Sequence, residues 1–185
     1  MRLKVGQLAP QFTMQDITGK QVSLAQYRGR KILVSFNRAA VCPLCNLRTW
    51  HMIHRYPEYR WRGLEVIAFF ESSPQRTHQY LDQFQAPYPI IADLDHKVYS
   101  QYGLENSLLG VLRGRLARGS DYREASQHNI NAGNVRSVLH AGGAIARMPA
   151  DFLIGPDGRI AVAYYGKDAG DFMLFSEIDR FLIAE

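Results

Sequence analysis

Two cysteines, Cys42 and Cys45, are separated by two residues and are the only cysteines of the chain. Pro43 follows the first of them, and proline suits the first position of a helix, where its missing N–H removes no hydrogen bond. The pattern therefore predicts a C-x-x-C motif at the N-terminus of a helix. Exposed N–H groups and the helix dipole stabilise an anion there, so the first thiol is expected to have a lowered pKa.

A pair of thiols in this position can carry out redox chemistry. A thiolate attacks a disulfide or a peroxide, and a second thiol resolves the resulting mixed disulfide or sulfenic acid. We therefore expect Cys42 to be the attacking thiol, more acidic and more exposed, and Cys45 to be the resolving one. A disulfide between them is sterically allowed within one helical turn. Cysteines this close in the chain cannot cross-link distant parts of a fold.

Two other uses of the cysteines compete with this one. Both could be inert core residues, although a helix N-terminus is not an inert place for a thiol. They could also form half of a zinc site with His51 and His54, in the pattern C-x2-C-x5-H-x2-H. On a continuous helix Cys42 and His54 would lie about 18 Å apart, too far for one ion. An iron–sulfur site is expected even less, so neither a metal nor another cofactor is predicted.

The elements around the motif form an alternating pattern of strands and helices. The apolar run at 31–36 is typical of a strand buried on both faces, and 64–70 is a second such run. Between them, a helix is expected from Cys42 to about Tyr56, with Pro57 beyond its end. The other expected elements are a turn at 16–20 between two short strands, a helix from Ser73 to Phe84, a strand at 89–93, a short helix at 96–102, a hairpin of strands at 150–154 and 159–165, and a helix from Asp171 to Ile183. This order implies an α/β sandwich with a central mixed sheet flanked by helices, its first strands parallel.

Residues 104–146 are the least regular part of the chain. Two weak helical stretches, near 107–117 and 133–141, are expected on either side of a polar loop. We interpret the segment as an insertion within one domain spanning 1–185, because about 40 residues rarely sustain a core of their own. Between Val111 and Arg147, six arginines stand against two acidic residues, Asp121 and Glu124 (Arg113, Arg115, Arg118, Arg123, Arg136 and Arg147). The arginines fit either a solvated surface or a docking surface for an acidic partner or anionic substrate.

Composition excludes several classes of protein. With 185 residues and 46% hydrophobic residues, the chain can bury a core without disulfide cross-links. No nucleic-acid-binding motif accompanies the net charge of +5, so no nucleic-acid partner is expected. The first residues lack the apolar segment of a signal peptide, and no apolar run approaches the roughly 18–20 residues of a membrane span. We therefore expect a cytoplasmic protein without a membrane partner.

Four stretches of the sequence resemble the AhpC/TSA, or peroxiredoxin-like, family. The segment 36–48, FNRAAVCPLCNLR, resembles members with a C-P-x-C active site that follows a buried strand and a Phe-x-Arg loop. The segments 5–12, 19–29 and 148–160 resemble the family's opening, its next turn and its late hairpin. The resemblance implies a thioredoxin-like sandwich with an N-terminal β extension and a helical and loop insertion before the hairpin. It also implies a thiol-dependent enzyme that reduces hydroperoxides and is regenerated by a dithiol reductant such as a thioredoxin-like protein. Whether the chain is a homodimer is left open.

The family pattern is incomplete at three positions. Typical peroxiredoxins carry Pro-x-x-x-Thr-x-x-Cys, but Ser35 and Ala39 occupy the proline and threonine positions here. The arginine that starts the late strand is replaced by Pro149, so the charge facing the thiolate is expected from Arg38 or Arg147. Peroxide reduction needs hydrogen-bond donors aimed at the O–O bond, so efficient peroxidase activity does not follow from the sequence alone.

Pro149 favours a second interpretation. In thioredoxin-like folds a cis-proline begins the strand that faces the two cysteines, and it exposes the backbone of the preceding residue, here Met148, to a substrate chain. We therefore expect a cis Met148–Pro149 peptide opposite Cys42, since prolyl peptides adopt the cis form at modest cost. An ordinary edge-strand proline is the alternative. A thiol–disulfide oxidoreductase and a non-catalytic redox-sensing or binding module thus stay open beside the peroxidase.

Overall fold

The computed structural model describes residues 1–128, 130 and 146–183, and a five-stranded mixed sheet forms its centre. The strands are β1 (Thr13–Gln15), β2 (Gln21–Ser23), β3 (Lys31–Phe36), β4 (Leu64–Phe70), β5 (Ile90–Ala92), β6 (Ala150–Ile154) and β7 (Ile160–Tyr165). The helices are α1 (Pro43–Trp61), α2 (Pro74–Leu81), α3 (Lys97–Gln101), α4 (Leu108–Ala117), α5 (Gly119–Gln127) and α6 (Phe175–Ile183), with short 3-10 helices at Leu24–Tyr27 and Asp82–Phe84. β1 and β2 form a separate antiparallel hairpin that precedes the central sheet.

The order of the central sheet is β5-β4-β3-β6-β7. β3 runs parallel to β4 and antiparallel to β6, which confirms the predicted mixed sheet and the parallel pairing of its first strands. β3 and β4 are almost entirely buried because apolar side chains cover both faces of the sheet. Phe36, the last residue of β3, pairs with Ala150, the first of β6. The chain therefore leaves β3 and enters β6 at the same end of the sheet, where these two neighbouring strands end and begin.

The helix that carries the C-x-x-C motif is longer than expected. It continues to Trp61, with Pro57 inside it, so the predicted end near Tyr56 is wrong. Proline inside a helix costs about 3 kcal/mol. The burial of Tyr56 and Tyr59 in the core beneath the helix offsets this cost, and Pro57 itself is exposed.

The insertion holds two helices in its described part. The first predicted helical stretch is confirmed as α4, while α5 lies where a polar loop was expected. The second stretch, 133–141, and Arg136 lie outside the described residues. The polar sequence of α5 gave little sign of a helix because only Ala125 is fully buried on it.

The last helix begins at Phe175, four residues later than expected. Asp171 is held in the preceding loop, where its carboxylate accepts hydrogen bonds from the Tyr164 hydroxyl at 2.6 Å and the Lys167 backbone N–H at 2.8 Å. In the part of the chain that is described, no helix is long and apolar enough to cross a membrane.

Candidate active site

The loop between β3 and α1 places both cysteines at the edge of the sheet. Cys42 is the N-cap residue of α1, with an extended backbone, and Pro43 is the first helical residue. Backbone and side-chain hydrogen bonds hold this loop: the Ala40 N–H donates to Ser72 Oγ, and Asn46 Nδ2 donates to the Ala40 carbonyl, both at 2.9 Å. Cys42 is therefore presented by a loop tied to the neighbouring strand end and to its own helix.

The environment of Cys42 stabilises a thiolate. The Cys45 thiol donates a hydrogen bond to its sulfur, and this is the largest of the effects that together lower the pKa of Cys42 to about 6. Burial opposes the shift, whereas the Arg38 guanidinium and the backbone N–H groups of Cys45 and Leu44 support it. Arg38 Nη1 lies 3.5 Å from Cys42 Sγ. At neutral pH Cys42 therefore carries a negative charge.

Cys45 differs from Cys42 in its exposure and in the direction of its pKa shift. It is 0% exposed, whereas Cys42 keeps 7% of its surface. Burial raises the pKa of Cys45 well above its ordinary value, and the neighbouring Cys42 raises it further. Its sulfur accepts a hydrogen bond from the Arg38 backbone N–H at 3.4 Å. Cys45 thus stays a protonated thiol beside an anionic one, and it must give up its proton when it attacks oxidised Cys42.

We expect the two thiols to be distinguishable by alkylation between pH 5 and pH 9. Because the lowered pKa keeps the thiolate of Cys42 present above about pH 6, labelling of Cys42 should rise through that pH and then level off. Cys45 should stay unlabelled because its pKa is raised and its sulfur is buried. Peptide mass spectrometry after iodoacetamide treatment measures both rates. Faster labelling of Cys45, or a midpoint for Cys42 near its unperturbed value, would refute the assignment.

Arg147, the other arginine considered for the thiolate, is engaged elsewhere. Its guanidinium forms a buried ion pair with Glu71, with Nε–Oε2 at 2.5 Å and Nη2–Oε1 at 3.3 Å, and donates to the Leu104 carbonyl at 3.1 Å. The ion pair still bears on the site, because the Glu71 backbone N–H donates to the Arg38 carbonyl at 3.2 Å. Arg38 lies against Cys42, while Arg147 fixes the strand end beside Arg38.

The Met148–Pro149 peptide is trans, so the prediction of a cis-proline is wrong. The residues before Pro149 pair in an extended conformation with the start of the insertion: the Met148 N–H donates to the Glu105 carbonyl at 3.1 Å, and the Ser107 N–H to the Ala146 carbonyl at 2.7 Å. Extended backbone before a proline is the ordinary trans arrangement. Pro149 does enter β6 at the expected edge of the sheet, and Met148 is buried beneath α4.

Ser35 and Ala39, two of the three positions that depart from the family pattern, offer no side-chain hydrogen-bond donor to the thiolate. Ser35 donates its hydroxyl to buried Asp151 on β6 at 2.6 Å, and Ala39 is buried with no polar side chain. The histidines of the zinc alternative point to other partners: His51 Nε2 lies 3.1 Å from Glu124 Oε1, and His54 Nδ1 lies 2.8 Å from the Trp50 carbonyl. Among the described residues no group of three His, Cys, Asp or Glu side chains could hold a metal ion.

Tyr122 is a neighbour of the thiols that the sequence did not indicate. It lies on α5, and its half-buried side chain packs against the core cluster that contains both cysteines. Its hydroxyl is close enough to interact electrostatically with Cys42, Cys45 and Arg38. The spacing of Tyr122 and Ala125 on one helical face was the only local signal, and it is too short to have predicted this contact.

Comparisons with known proteins agree on one family. The model of the AhpC/TSA family matches residues 5–163. The chain is 29% identical over 114 residues to the chloroplastic peroxiredoxin Q of Gentiana triflora, covering 62% of this chain and 52% of that protein. It is 28% identical over 110 residues to peroxiredoxin Bcp of Escherichia coli K12, covering 58% of this chain and 70% of that protein. The match therefore spans about half the length of the plant relative.

Solved structures share the fold. The peroxidoxin BcpB of Mycobacterium tuberculosis superposes with a TM-score of 0.67 at 15% identity, covering 98% of this chain and 95% of that one. A putative thiol:disulfide interchange protein DsbE from Chlorobium tepidum gives a TM-score of 0.64 at 18% identity, covering 98% and 96% of the two chains. At these identities the likeness extends to the thioredoxin-like fold, which both kinds of redox protein share.

Proposed function

The chain belongs to the AhpC/TSA family, and from that membership we propose that it is a thiol-dependent peroxidase with Cys42 as nucleophile and Cys45 as resolving thiol. The single observation that carries the proposal is the state of Cys42: a stabilised thiolate 3.5 Å from Arg38 Nη1, with only 7% of the residue exposed. A hydroperoxide is small enough to enter such an opening.

The proposed reaction has three balanced steps. The Cys42 thiolate attacks one peroxide oxygen, the O–O bond breaks, and the departing oxygen takes the bonding pair and a proton to leave as an alcohol or water. The sulfur is oxidised to a sulfenic acid and the peroxide is reduced. Cys45 then displaces water from the sulfenic acid and closes the disulfide. A dithiol reductant, such as a thioredoxin-like protein, reduces this disulfide by exchange.

Arg38 has a defined part in the first step. Its guanidinium stabilises the thiolate before attack, and as the O–O bond breaks it remains beside the developing negative charge. The buried Glu71–Arg147 pair supports this arrangement from behind, because Glu71 hydrogen-bonds the Arg38 backbone. Pro43 contributes by starting α1 directly after the nucleophile, which leaves the N–H groups of Leu44 and Cys45 directed at the sulfur.

The disulfide oxidoreductase has lost the feature that favoured it, because the peptide before Pro149 is trans. Turnover distinguishes the peroxidase from the redox-sensing module, because a sensor would be oxidised once and would consume no further peroxide. The cytoplasmic location stays a prediction, and the oligomeric state stays open.

Hydrogen peroxide consumption, run beside reduction of insulin disulfides, tests the proposal. With thioredoxin, thioredoxin reductase and NADPH present, we expect NADPH oxidation that depends on both the protein and peroxide, and little acceleration of insulin reduction. If the protein accelerates insulin reduction as much as, or more than, it accelerates peroxide-dependent NADPH oxidation, the oxidoreductase would be favoured. Oxidation of the protein by one equivalent of peroxide, with no turnover under any dithiol, would favour the sensor.

A further inference from the structure

The proposed active site lacks the hydroxyl group that the family places near its nucleophile. Ala39 stands at that position, and the hydroxyl of Ser35 is committed to Asp151 at 2.6 Å. Breaking an O–O bond builds negative charge on the departing oxygen, and a hydrogen-bond donor aimed at that oxygen lowers the barrier. A site with a nucleophile and Arg38 alone would therefore have one donor group fewer than the chemistry favours.

α5 brings a different hydroxyl group, that of Tyr122, to the core cluster that contains the two thiols. The side chain of Tyr122 packs against the cluster that includes Cys42, Cys45, Ala39 and Leu44. Its hydroxyl is near enough to Cys42 and Arg38 to interact with the charges of both groups.

Contacts at the start of α5 and along its second half fix its position. At its start, Arg118 forms a two-pronged ion pair with Asp168, with both N–O distances at 3.2 Å. Along its length, Glu124 pairs with His51 of α1 at 3.1 Å, and Ala125 packs on Leu47. These contacts lie on both sides of Tyr122 in the sequence, and they hold α5 against α1 with the Tyr122 side chain packed on the cluster that contains both cysteines.

Tyr122 can act as a donor throughout the range in which Cys42 is a thiolate. Burial raises the pKa of Tyr122 above its ordinary value, and the negative charge of Cys42 raises it further, while Arg38 opposes this. The phenol therefore keeps its proton at neutral pH, where Cys42, with a pKa of about 6, has lost its own. Exposed Arg115 of α4 also acts on Tyr122, and its positive charge opposes the rise of the pKa of Tyr122.

We propose that Tyr122 donates a hydrogen bond to the hydroperoxide at Cys42 and so replaces the hydroxyl absent at Ala39. This inference rests on the proposed peroxidase function. Tyr122 keeps its proton throughout: it stabilises the departing oxygen, whose proton comes from solvent. The inference also gives the insertion a role, since residues more than 70 positions beyond the nucleophile would complete the site.

The test compares Tyr122→Phe with wild type in two reactions of the same thiol. Single-turnover oxidation by hydrogen peroxide is followed by mass spectrometry of Cys42, and alkylation by iodoacetamide is followed under the same conditions. Only the peroxide needs a donor at its departing oxygen, so the rate of oxidation should fall about tenfold, as for loss of one hydrogen bond to developing charge. The alkylation rate and its pH profile should stay within about twofold of wild type. Tyr27→Phe is the matched control, because Tyr27 is half-buried and lies among Glu65, Arg30 and Asp16, away from the thiols.

Each outcome separates the two claims. If wild-type Cys42 is not oxidised by peroxide, the peroxidase function fails and the role of Tyr122 fails with it. If wild type is oxidised and Tyr122→Phe is oxidised at the same rate, only the role of Tyr122 is wrong. Equal loss of oxidation and alkylation in Tyr122→Phe would mean that the ring merely shapes the thiol environment, and this too would overturn the proposal.

Discussion

Replacing Cys42 with serine is expected to abolish peroxide consumption, with a loss on the order of a thousandfold or more, since a serine hydroxyl is not ionised at neutral pH. The variant should fold, because serine is close to cysteine in size and Cys42 occupies an N-cap, a position that serine favours. NADPH oxidation coupled to thioredoxin measures the loss.

Cys45→Ser is the matched variant and should separate the two chemical steps. Its Cys42 should still react once with peroxide, and dimedone should trap the resulting sulfenic acid. Turnover with thioredoxin should fall, because no neighbouring thiol closes the disulfide. In wild type, mild oxidation should instead remove two hydrogens from the peptide that contains both cysteines. Peroxide consumption by Cys42→Ser at the wild-type rate would disprove the nucleophile assignment. A wild-type product made only of intermolecular dimers would place resolution between subunits.

Replacing Arg38 with glutamine is expected to produce the second-largest effect. The guanidinium helps lower the pKa of Cys42, so its loss should raise that pKa and reduce the thiolate fraction at pH 7. It also removes a cation beside the departing oxygen. Together these should slow peroxide oxidation about a hundredfold at neutral pH. The rate measured from pH 5 to pH 9 separates the two contributions: recovery at high pH reports the thiolate fraction, and the remaining deficit reports the missing cation.

Two controls accompany Arg38→Gln. Arg28→Gln removes an exposed arginine from the turn before β3 and should leave both the rate and the pH profile unchanged. Thermal unfolding checks that Arg38→Gln, at a buried site, remains folded. A folded variant with an unchanged Cys42 pKa and an unchanged oxidation rate would show that Arg38 has no part in the reaction.

Local patterns sufficed for the elements nearest the nucleophile. The apolar run of β3, the proline after Cys42 and the turn residues of the late hairpin each determine the backbone within a few residues. The pKa shift of Cys42 also depends in part on groups within its own helical turn. The local rule that a proline ends a helix was wrong at Pro57. The helix α1 continues past it, because Tyr56 and Tyr59 are buried on the opposite face.

The rest of the site depends on residues that are far apart in the chain. Either Arg38 or Arg147 could have faced the thiolate, and the choice was made by Glu71, which pairs with Arg147 from the end of a different strand. The peptide before Pro149 is trans, and the residues that precede it pair in extended conformation with residues 105–107, a contact no local pattern predicted. Tyr122 lies near the thiols only because Arg118, Glu124 and Ala125 dock α5. The sequence by itself sufficed to propose Cys42 as the nucleophile, because helix-terminus electrostatics act within one turn. Only the tertiary structure decided which charges and hydroxyls surround it, because those contacts join segments whose proximity no local pattern encodes.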